Sequence, residues 1–228
     1  MSLFAIADTH LSFSTNKPMD SFDGWNDYTE RLKKNWNNLI TADDITLIAG
    51  DISWAMNFDE LKADFDFINR LNGKKIILKG NHDYWWNTIS KMNKFVEENG
   101  FETISFLHNN AYDFDGFSVC GSRGWFFDSD EKQDEKVLNR EVCRINASIN
   151  CAACEEKIVF LHYPPLTVNA KCDEIFNALK ENGIKKCYFG HLHGMAAKFA
   201  VDGNFDGIDF KLISADRLGF TPYLIKKF

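Results

Sequence analysis

The sequence predicts an α/β fold in which helices pack against buried strands. Short apolar runs alternate with longer amphipathic segments along most of the 228 residues, and this alternation is typical of layered folds. Five of the apolar runs end in a side chain that can bind a metal ion. Beyond residue 184 the runs become shorter and are separated by glycines, which indicates an antiparallel or mixed second sheet.

The predicted buried strands are continuous apolar runs of four or five residues. A strand that is covered on both faces has this character, whereas a strand with one wet face alternates apolar and polar residues. The runs cover residues 3–7, 45–49, 75–79, 117–121, 157–161 and 186–189.

Amphipathic segments between these runs are predicted to form helices. They cover residues 24–40, 59–71, 85–99, 129–154 and 172–182. The acidic stretch 128–135 is interpreted as the solvated start of the fourth helix, because carboxylates are favoured near the positive end of a helix dipole. Cys151 and Cys154 have zinc-like spacing, but this helical segment and the lack of a second pair favour ordinary thiols.

The last part of the chain is predicted to add strands at residues 197–201, 209–214 and 223–227. No internal repeat, low-complexity tract or linker rich in glycine, serine or proline interrupts the sequence. We therefore expect one domain that spans residues 1–228.

Composition and charge indicate a soluble cytoplasmic protein. The N-terminal residues lead into a strand-like run without the basic segment and long hydrophobic region of an export signal. No apolar run reaches the roughly 20 residues that a membrane span needs. Six cysteines without an export signal are interpreted as reduced thiols. A net charge of −7 offers no broad basic surface, so we expect no extended nucleic acid as a partner.

The side chains that follow five of the strand runs are candidate metal ligands. Ligands of open α/β sheets bind beyond the carboxyl ends of the strands, because the sheet delivers several strand ends to one crevice. Residues two apart in an extended segment also project to the same side. Asp8 can therefore act together with His10, and His191 together with His193. The candidate ligands are Asp8, His10, Asp51, Asn81, His162, His191 and His193.

This ligand set consists of imidazoles, carboxylates and one amide, without a thiolate. It suits manganese, iron, zinc or cobalt better than a soft metal or a calcium cage, and the choice among those four stays open. Seven ligands exceed the needs of one catalytic zinc ion, so we expect two metal ions that share one carboxylate. Asp51 is the candidate bridge. Gly50 and Gly80 directly precede candidate ligands. Each glycine either allows the backbone to turn sharply close to an ion or is an ordinary turn residue.

Five short motifs occur in order at the predicted strand ends. They are DTH at 8–10, GD at 50–51, GNHD at 80–83, His162 within LHYPP, and GHLH at 190–193. Together these motifs resemble the signature of the calcineurin-like metallophosphoesterase superfamily. The resemblance implies a sandwich of two mixed β-sheets flanked by α-helices, with the metal site at the carboxyl ends of the strands.

The resemblance also implies a division of the ligands between two ions. One ion is expected to bind Asp8, His10, Asp51 and His193. The other ion is expected to bind Asp51, Asn81, His162 and His191. His82 matches a histidine that meets the leaving-group oxygen, and Asp83 matches the acidic residue that orients this histidine. A neighbouring carboxylate would favour the charged form of the imidazole.

The mechanism that follows as a hypothesis is hydrolysis of a phosphomonoester or phosphodiester by in-line attack. A hydroxide held between the ions attacks phosphorus, the metals neutralise charge on the phosphoryl oxygens, and His82 protonates the departing alkoxide. Ile52, Ser53 and Trp54 follow Asp51, and the third motif ends in Asp83. Ser/Thr phosphatases of the superfamily usually have an Asp-Arg pair and a Glu at these positions, so a phosphoprotein substrate is less favoured.

Two weaker signals lie beside the motifs. Arg123 follows a strand-like run between glycines, so it either contacts a substrate phosphate or serves as a surface or structural arginine. The aromatic residues Trp54, Tyr84, Trp85 and Trp86 either form a wall for a base or another flat group or pack in the core.

The expected partner is a small phosphoester, either a monoester or a diester such as a nucleotide derivative. Alternatives are a noncatalytic interaction scaffold, against which the complete ligand set argues, and a nuclease, for which a basic cleft is expected. The sequence leaves the natural substrate, the metal pair and the oligomeric state open.

Overall fold

The computed structural model describes residues 1–125 and 135–228. The strands in this part of the chain are β1 (Ser2–Ile6), β2 (Ile45–Ala49), β3 (Lys74–Leu78), β4 (Ile104–Phe106), β5 (Tyr112–Phe114), β6 (Phe117–Ser122), β7 (Lys157–Leu161), β8 (Lys186–Phe189), β9 (Gly203–Phe205), β10 (Ile208–Leu212) and β11 (Tyr223–Lys227). The α-helices are α1 (Tyr28–Leu39), α2 (Phe58–Arg70), α3 (Ile89–Glu98), α4 (Glu135–Asn150) and α5 (Asp173–Glu181). Met19–Ser21 and Gly194–Phe199 form short 3₁₀-helices.

The strands form two mixed sheets. The first has the order β11-β1-β2-β3-β4, and the second has the order β5-β6-β7-β8-β10-β9. Central neighbours are parallel, whereas β11, β5 and β9 pair antiparallel with their neighbours at the sheet edges. This arrangement confirms the predicted sandwich of two mixed sheets flanked by helices.

Each central strand is buried on both faces. In β1, Leu3 belongs to the apolar core between the sheets, whereas Phe4 packs in the core beneath the helices α1–α3. In β7, Phe160 points to the core between the sheets and Leu161 to the core beneath α4 and α5. Because successive residues of a strand point to opposite faces, two covered faces require the continuous apolar runs of the sequence.

Most predicted elements form, with shifted ends. The strands at 45–49, 157–161, 186–189 and 223–227 begin and end as predicted. The predicted helix 85–99 begins only at Ile89, because the preceding residues form a loop at the candidate site. In the predicted helix 129–154, α4 covers Glu135–Asn150. The acidic stretch 128–135 was predicted to be the solvated start of this helix. Residues 128–134 lie outside the described residues, and Glu135 is the first residue of α4.

One predicted strand is wrong and three short strands were missed. Residues 197–201 do not form a strand, since Gly194–Phe199 is a 3₁₀-helix. A short apolar run has no clear period, so its sequence does not separate a strand from a helical turn. The missed strands β4, β5 and β9 have three residues each and lie at sheet edges, where pairing with a neighbour defines them more than their own pattern.

Two further expectations concern the environment of the protein. Across residues 1–125 and 135–228, no helix combines the length and the apolar character needed to cross a membrane. All six cysteines are free thiols, and the two with zinc-like spacing lie near different backbone carbonyls, those of Asn109 and Phe114.

Candidate metal centre

Loops after neighbouring strands continue to pair beyond the sheet. The backbone N–H of Asp8 donates to the Gly50 carbonyl at 3.0 Å, and that of His10 donates to the Asp51 carbonyl at 3.0 Å. In the second sheet, the Gly190 N–H donates to a carbonyl in the loop after β7 at 3.1 Å. The strand ends of each sheet therefore deliver their loops to one place.

Four candidate ligands have left-handed backbone conformations. The φ angles are 57° at Asp8, 43° at His10, 50° at Asp51 and 70° at His191. Side chains other than glycine rarely adopt this region, and such residues cluster at functional sites where the surroundings hold them. The strain at these four positions marks the carboxyl ends of β1, β2 and β8 as a functional site.

Glycines allow the loops to approach the candidate ligands. A Cβ on Gly80 would lie 2.1 Å from Asp51 Oδ1, and one on Gly190 would lie 2.7 Å from Asp8 Oδ2. A Cβ on Gly50 would meet His162 Nδ1 at 2.7 Å. The glycines before the ligands are thus required by close packing around the site, in addition to any role in turns.

The first group of candidate ligands consists of Asp8, His10 and Asp51. Their ligand atoms lie within 4.8 Å of one another, and His10 Nε2 is 3.8 Å from Asp51 Oδ2. All three side chains are buried. His193 is not in this group, but its ring centroid lies 5.3 Å from that of His10.

The second group consists of Asp51, His162 and His191, again with ligand atoms within 4.8 Å of one another. His162 Nε2 lies 3.5 Å from Asp51 Oδ2. The Asn81 amide oxygen joins this group at 2.6 Å from His162 Nε2 and 3.0 Å from His191 Nδ1. Asp51 thus belongs to both groups, in the position of a bridging carboxylate.

Burial sets the protonation of these groups. Burial raises the pKa of Asp8 to about 8 and raises the pKa of Asp51 well above its usual range, with neighbouring carboxylates adding to the effect at Asp51. Burial also lowers the pKa values of His10 and His162 well below the usual range. His10 and His162 are therefore neutral donors that could bind a metal ion, and the buried carboxylates need a compensating cation to be ionised.

Two further observations support metal binding by these residues. Neither ring nitrogen of the buried His10 has a hydrogen-bond partner among the described residues, which is costly unless another ligand is bound. His162 Nδ1 lies 3.0 Å from the Ala49 carbonyl, and this contact directs Nε2 toward the second group. The imidazole, carboxylate and amide donors suit a divalent transition metal.

The contacts of His82 and Asp83 differ from the expectation. The Asp83 carboxylate accepts hydrogen bonds from the backbone N–H groups of Asp51, Ile52 and Gly80 at 2.7–2.9 Å, and not from the His82 ring. The orienting role expected of Asp83 is corrected accordingly, because the carboxylate pairs with these backbone donors instead. His82 Nδ1 instead lies 3.1 Å from the Tyr84 hydroxyl.

The protonation expected for His82 also changes with this geometry. Burial lowers the pKa of His82, and the nearby His193 and Lys17 lower it further. Asp83 does not supply the expected stabilisation of the charged imidazole, because its carboxylate faces the backbone. A bound phosphate dianion is a further charge that would favour the imidazolium form.

An aromatic cavity of about 300 Å³ lies against His82. His10 and His193 also line it, together with Trp25 and Trp54. Trp54 stacks on His10 with ring centroids 4.9 Å apart. Trp54 thus lines a cavity, the first of the two roles that its sequence position left open. The sequence analysis missed Trp25, which lies outside the motifs.

The other aromatic candidates have different positions. Trp85 is buried and donates its indole N–H to Asp83 Oδ1 at 3.1 Å. Trp86 lines a separate pocket, and Tyr84 is half exposed with its hydroxyl at His82. These residues do not form one continuous wall, because only Trp54 lines the aromatic cavity.

Arg123 lies beside the candidate metal centre and belongs to neither group of candidate ligands. Its Nη2 is 3.7 Å from Glu141 Oε1, and its side chain lines the same pocket as Trp86. Its backbone carbonyl accepts a hydrogen bond from the His162 N–H at 3.1 Å. Arg123 therefore lies near the candidate metal centre. Its contact with a substrate phosphate stays a prediction.

Comparison with known proteins agrees with the motifs and the fold. An uncharacterized protein of Methanocaldococcus jannaschii is 28% identical over 128 residues, which cover 52% of this chain and 67% of that protein. The phosphopantetheinyl hydrolase of Mycobacterium tuberculosis has a similar fold, with a TM-score of 0.57, 15% identity and coverage of 100% of this chain and 96% of that chain.

A protein of unknown function from Aquifex aeolicus also shares the fold, with a TM-score of 0.52, 14% identity and coverage of 98% and 95% of the two chains. At these identities the structural matches show the fold alone. The family model of calcineurin-like phosphoesterases matches residues 1–195, which is most of the chain. The chain therefore belongs to the calcineurin-like phosphoesterase family.

Proposed function

We propose that this protein hydrolyses a small phosphomonoester or phosphodiester with two transition-metal ions. The observation that carries the proposal is that Asp51 belongs to two groups of buried candidate ligands. Membership of the family supports a metal-dependent phosphoester hydrolase in general. The six free thiols fit the reducing cytoplasm that we propose as its location.

The ligand groups assign residues to the two ions. One ion would be held by Asp8, His10, Asp51 and His193, and the other by Asp51, Asn81, His162 and His191. When bound, such a pair of ions lowers the pKa of coordinated water and neutralises charge on the phosphoryl oxygens. The chain itself supplies a fixed, buried carboxylate between two sets of neutral imidazoles, so little reorganisation is needed when the substrate binds.

His82 is the proposed proton donor to the leaving group. Its Nδ1 contacts the Tyr84 hydroxyl, which leaves Nε2 available for the leaving-group oxygen. His82 lines the aromatic cavity, and its backbone N–H donates to Asp51 Oδ1 at 2.7 Å. The leaving group would therefore occupy the cavity between Trp25 and Trp54, which favours a flat or apolar group.

The experiment that tests this function combines metal analysis with two chromogenic esters. Purified protein should contain two transition-metal equivalents and, with manganese, hydrolyse para-nitrophenyl phosphate or its bis ester. Asp51→Asn should lose both ions together and lower kcat/KM by at least about a hundredfold, because Asp51 belongs to both groups.

Asp115→Asn is the matched control, since Asp115 is exposed in the turn between β5 and β6. It should keep the metal content and the turnover of the natural sequence. A protein that holds no metal and cleaves neither ester would contradict the proposal and favour a noncatalytic scaffold.

A further inference from the structure

A second pocket lies beside the metal centre at the carboxyl ends of β3 and β6. Its volume is about 290 Å³. Lys79, Arg123 and Arg144 line it, together with Trp86 and His108. Among the described residues, none lines both this pocket and the aromatic cavity that His82 lines. The metal centre is thus accompanied by two chemically different pockets, one aromatic and one cationic.

The cationic pocket has an excess of positive charge. No acidic side chain lines it within the described part of the chain, and the fully buried Glu141 lies against its two arginines. One oxygen of Glu141 contacts Arg144 and lies 3.7 Å from Arg123 Nη2, whereas the other accepts a hydrogen bond from the Ser122 hydroxyl at 2.7 Å. Two buried carboxylates among the described residues, Glu141 and Asp83, therefore act on these three cations, and both already accept hydrogen bonds within the protein.

Two of these cations are incompletely paired. Arg123 Nε is buried and has no hydrogen-bond partner among residues 1–125 and 135–228. The half-buried Lys79 ammonium has neither an ion pair nor a hydrogen bond within the same residues. An anion in this pocket would supply the missing acceptor oxygens.

The pocket connects directly to the candidate metal ligands. Lys79 lies two residues before Asn81, and the Arg123 carbonyl accepts a hydrogen bond from the His162 N–H. The Arg123 guanidinium also faces the Tyr163 ring at 6.0 Å, and this ring lies 4.4 Å from that of His191. A substrate held at the metal centre would therefore reach the cationic pocket with a short extension.

We propose that the cationic pocket binds a second phosphate of the substrate, which is not the phosphate that is hydrolysed. This inference rests on the proposed function and narrows it to a phosphodiester whose retained arm ends in a phosphate. The leaving arm enters the aromatic cavity beside His82, and the retained arm enters the pocket of Lys79, Arg123 and Arg144. A guanidinium fork and an ammonium group are the side chains that bind phosphate oxygens most effectively.

The kinetic test uses two esters that differ by one phosphate. They are thymidine 5′-(para-nitrophenyl phosphate) and its 3′-phosphorylated form, which release the same leaving group. The metal-loaded protein should prefer the 3′-phosphorylated ester in kcat/KM by about tenfold, since a charge-assisted contact is worth roughly 1.4 kcal/mol or more. Lys79→Met should bring this ratio close to one, and Lys79→Arg should restore most of it.

Lys34→Met is the matched control for the change in net charge, because Lys34 is exposed on α1. It should leave the ratio unchanged. A ratio that is the same in the Lys79→Met protein and the natural sequence would overturn the assignment of the pocket.

A binding measurement tests phosphate binding in the cationic pocket without any need for catalysis. Inorganic pyrophosphate is titrated into the metal-free full-length chain at constant ionic strength, and tryptophan fluorescence is followed because Trp86 lines the pocket. Lys79→Met should raise the dissociation constant by about tenfold, whereas Lys34→Met should not. Binding that is absent or insensitive to Lys79 would overturn the inference.

The two measurements also distinguish the two proposals. Turnover of both esters without Lys79-dependent preference or binding would contradict the second-phosphate pocket and leave the proposed function intact. Lys79-dependent pyrophosphate binding without turnover of any ester would contradict the proposed function and support an anion site in this pocket.

Discussion

Asp83 organises the backbone at Asp51, the candidate ligand that belongs to both groups. Its buried carboxylate accepts hydrogen bonds from backbone N–H groups in the loops after β2 and β3. These include the N–H of Asp51 at 2.9 Å and the N–H of Gly80 at 2.7 Å. Asp51 has a left-handed conformation that costs roughly 1–3 kcal/mol. Charge-assisted hydrogen bonds of this kind offset that cost, so Asp83 acts on the site through the backbone.

At the same scale, Gly80→Ala should abolish metal binding. The added Cβ would lie 2.1 Å from both the backbone nitrogen and the Oδ1 atom of Asp51, and neither atom can move without displacing the shared ligand. Metal content by inductively coupled plasma mass spectrometry should fall to background while circular dichroism keeps the spectrum of a folded protein.

Gly116→Ala serves as the control for this prediction. Gly116 has φ of +79° with open space around the added Cβ, so alanine there should cost about 1 kcal/mol of stability and retain the metals. Full metal content in the Gly80→Ala protein would show that the close packing around Asp51 is not needed for binding.

At the scale of elements, Lys75 joins the end of α2 to β3. Its side chain is fully buried, and the ammonium donates to the backbone carbonyls of Leu71 and Gly73 as well as to Thr103 Oγ1 at 3.1 Å. Carbonyl groups around a helix C-terminus have no partner within the helix. This lysine therefore satisfies buried acceptors where α2 turns into a strand that leads to the site.

Lys75→Met should lower the free energy of unfolding by about 1–3 kcal/mol, because the carbonyls at the end of α2 lose their donor. The midpoint of urea denaturation measures this loss. Lys74→Met is the matched control on the same strand, and its exposed side chain predicts a change within about 0.5 kcal/mol. Equal midpoints for the two variants would refute the bridging role of Lys75.

At the scale of the whole molecule, the second ligand group draws on both sheets. Asp51 and Asn81 follow strands of the first sheet, whereas His162 and His191 follow strands of the second. Bound ions would therefore tie the carboxyl edges of the two sheets together. Ligands that bind only the folded state add to its stability by mass action.

Removal of metal should consequently lower the melting temperature of the protein. An ion present at 100 times its dissociation constant contributes about 2.7 kcal/mol, so dialysis against a chelator should give a drop of several degrees in calorimetry. Asp51→Asn should melt at the same temperature with and without the chelator, whereas Asp115→Asn should keep the full difference. A melting temperature unaffected by the chelator in the natural sequence would argue against structural coupling by metal.

The chain order of the elements and the chemistry of the candidate site were readable from the sequence. Continuous apolar runs located the central strands because both of their faces are buried. The strand predicted at 197–201 was wrong, because a short apolar run without a clear period does not separate a strand from a helical turn. The edge strands of three residues were missed, since pairing with a neighbour defines them more than their own pattern.

Sequence alone determined which residues stand at strand ends and which metal chemistry they suit, because local order and side-chain type are properties of the chain itself. The sequence proposed Asp51 as the bridge, and the structure places it in both groups of candidate ligands. Only the tertiary structure decided that Asp83 faces the backbone rather than His82 and that Glu141 is buried beneath a cationic pocket. These features depend on distances between segments far apart in sequence, and such distances are fixed only when the two sheets pack together.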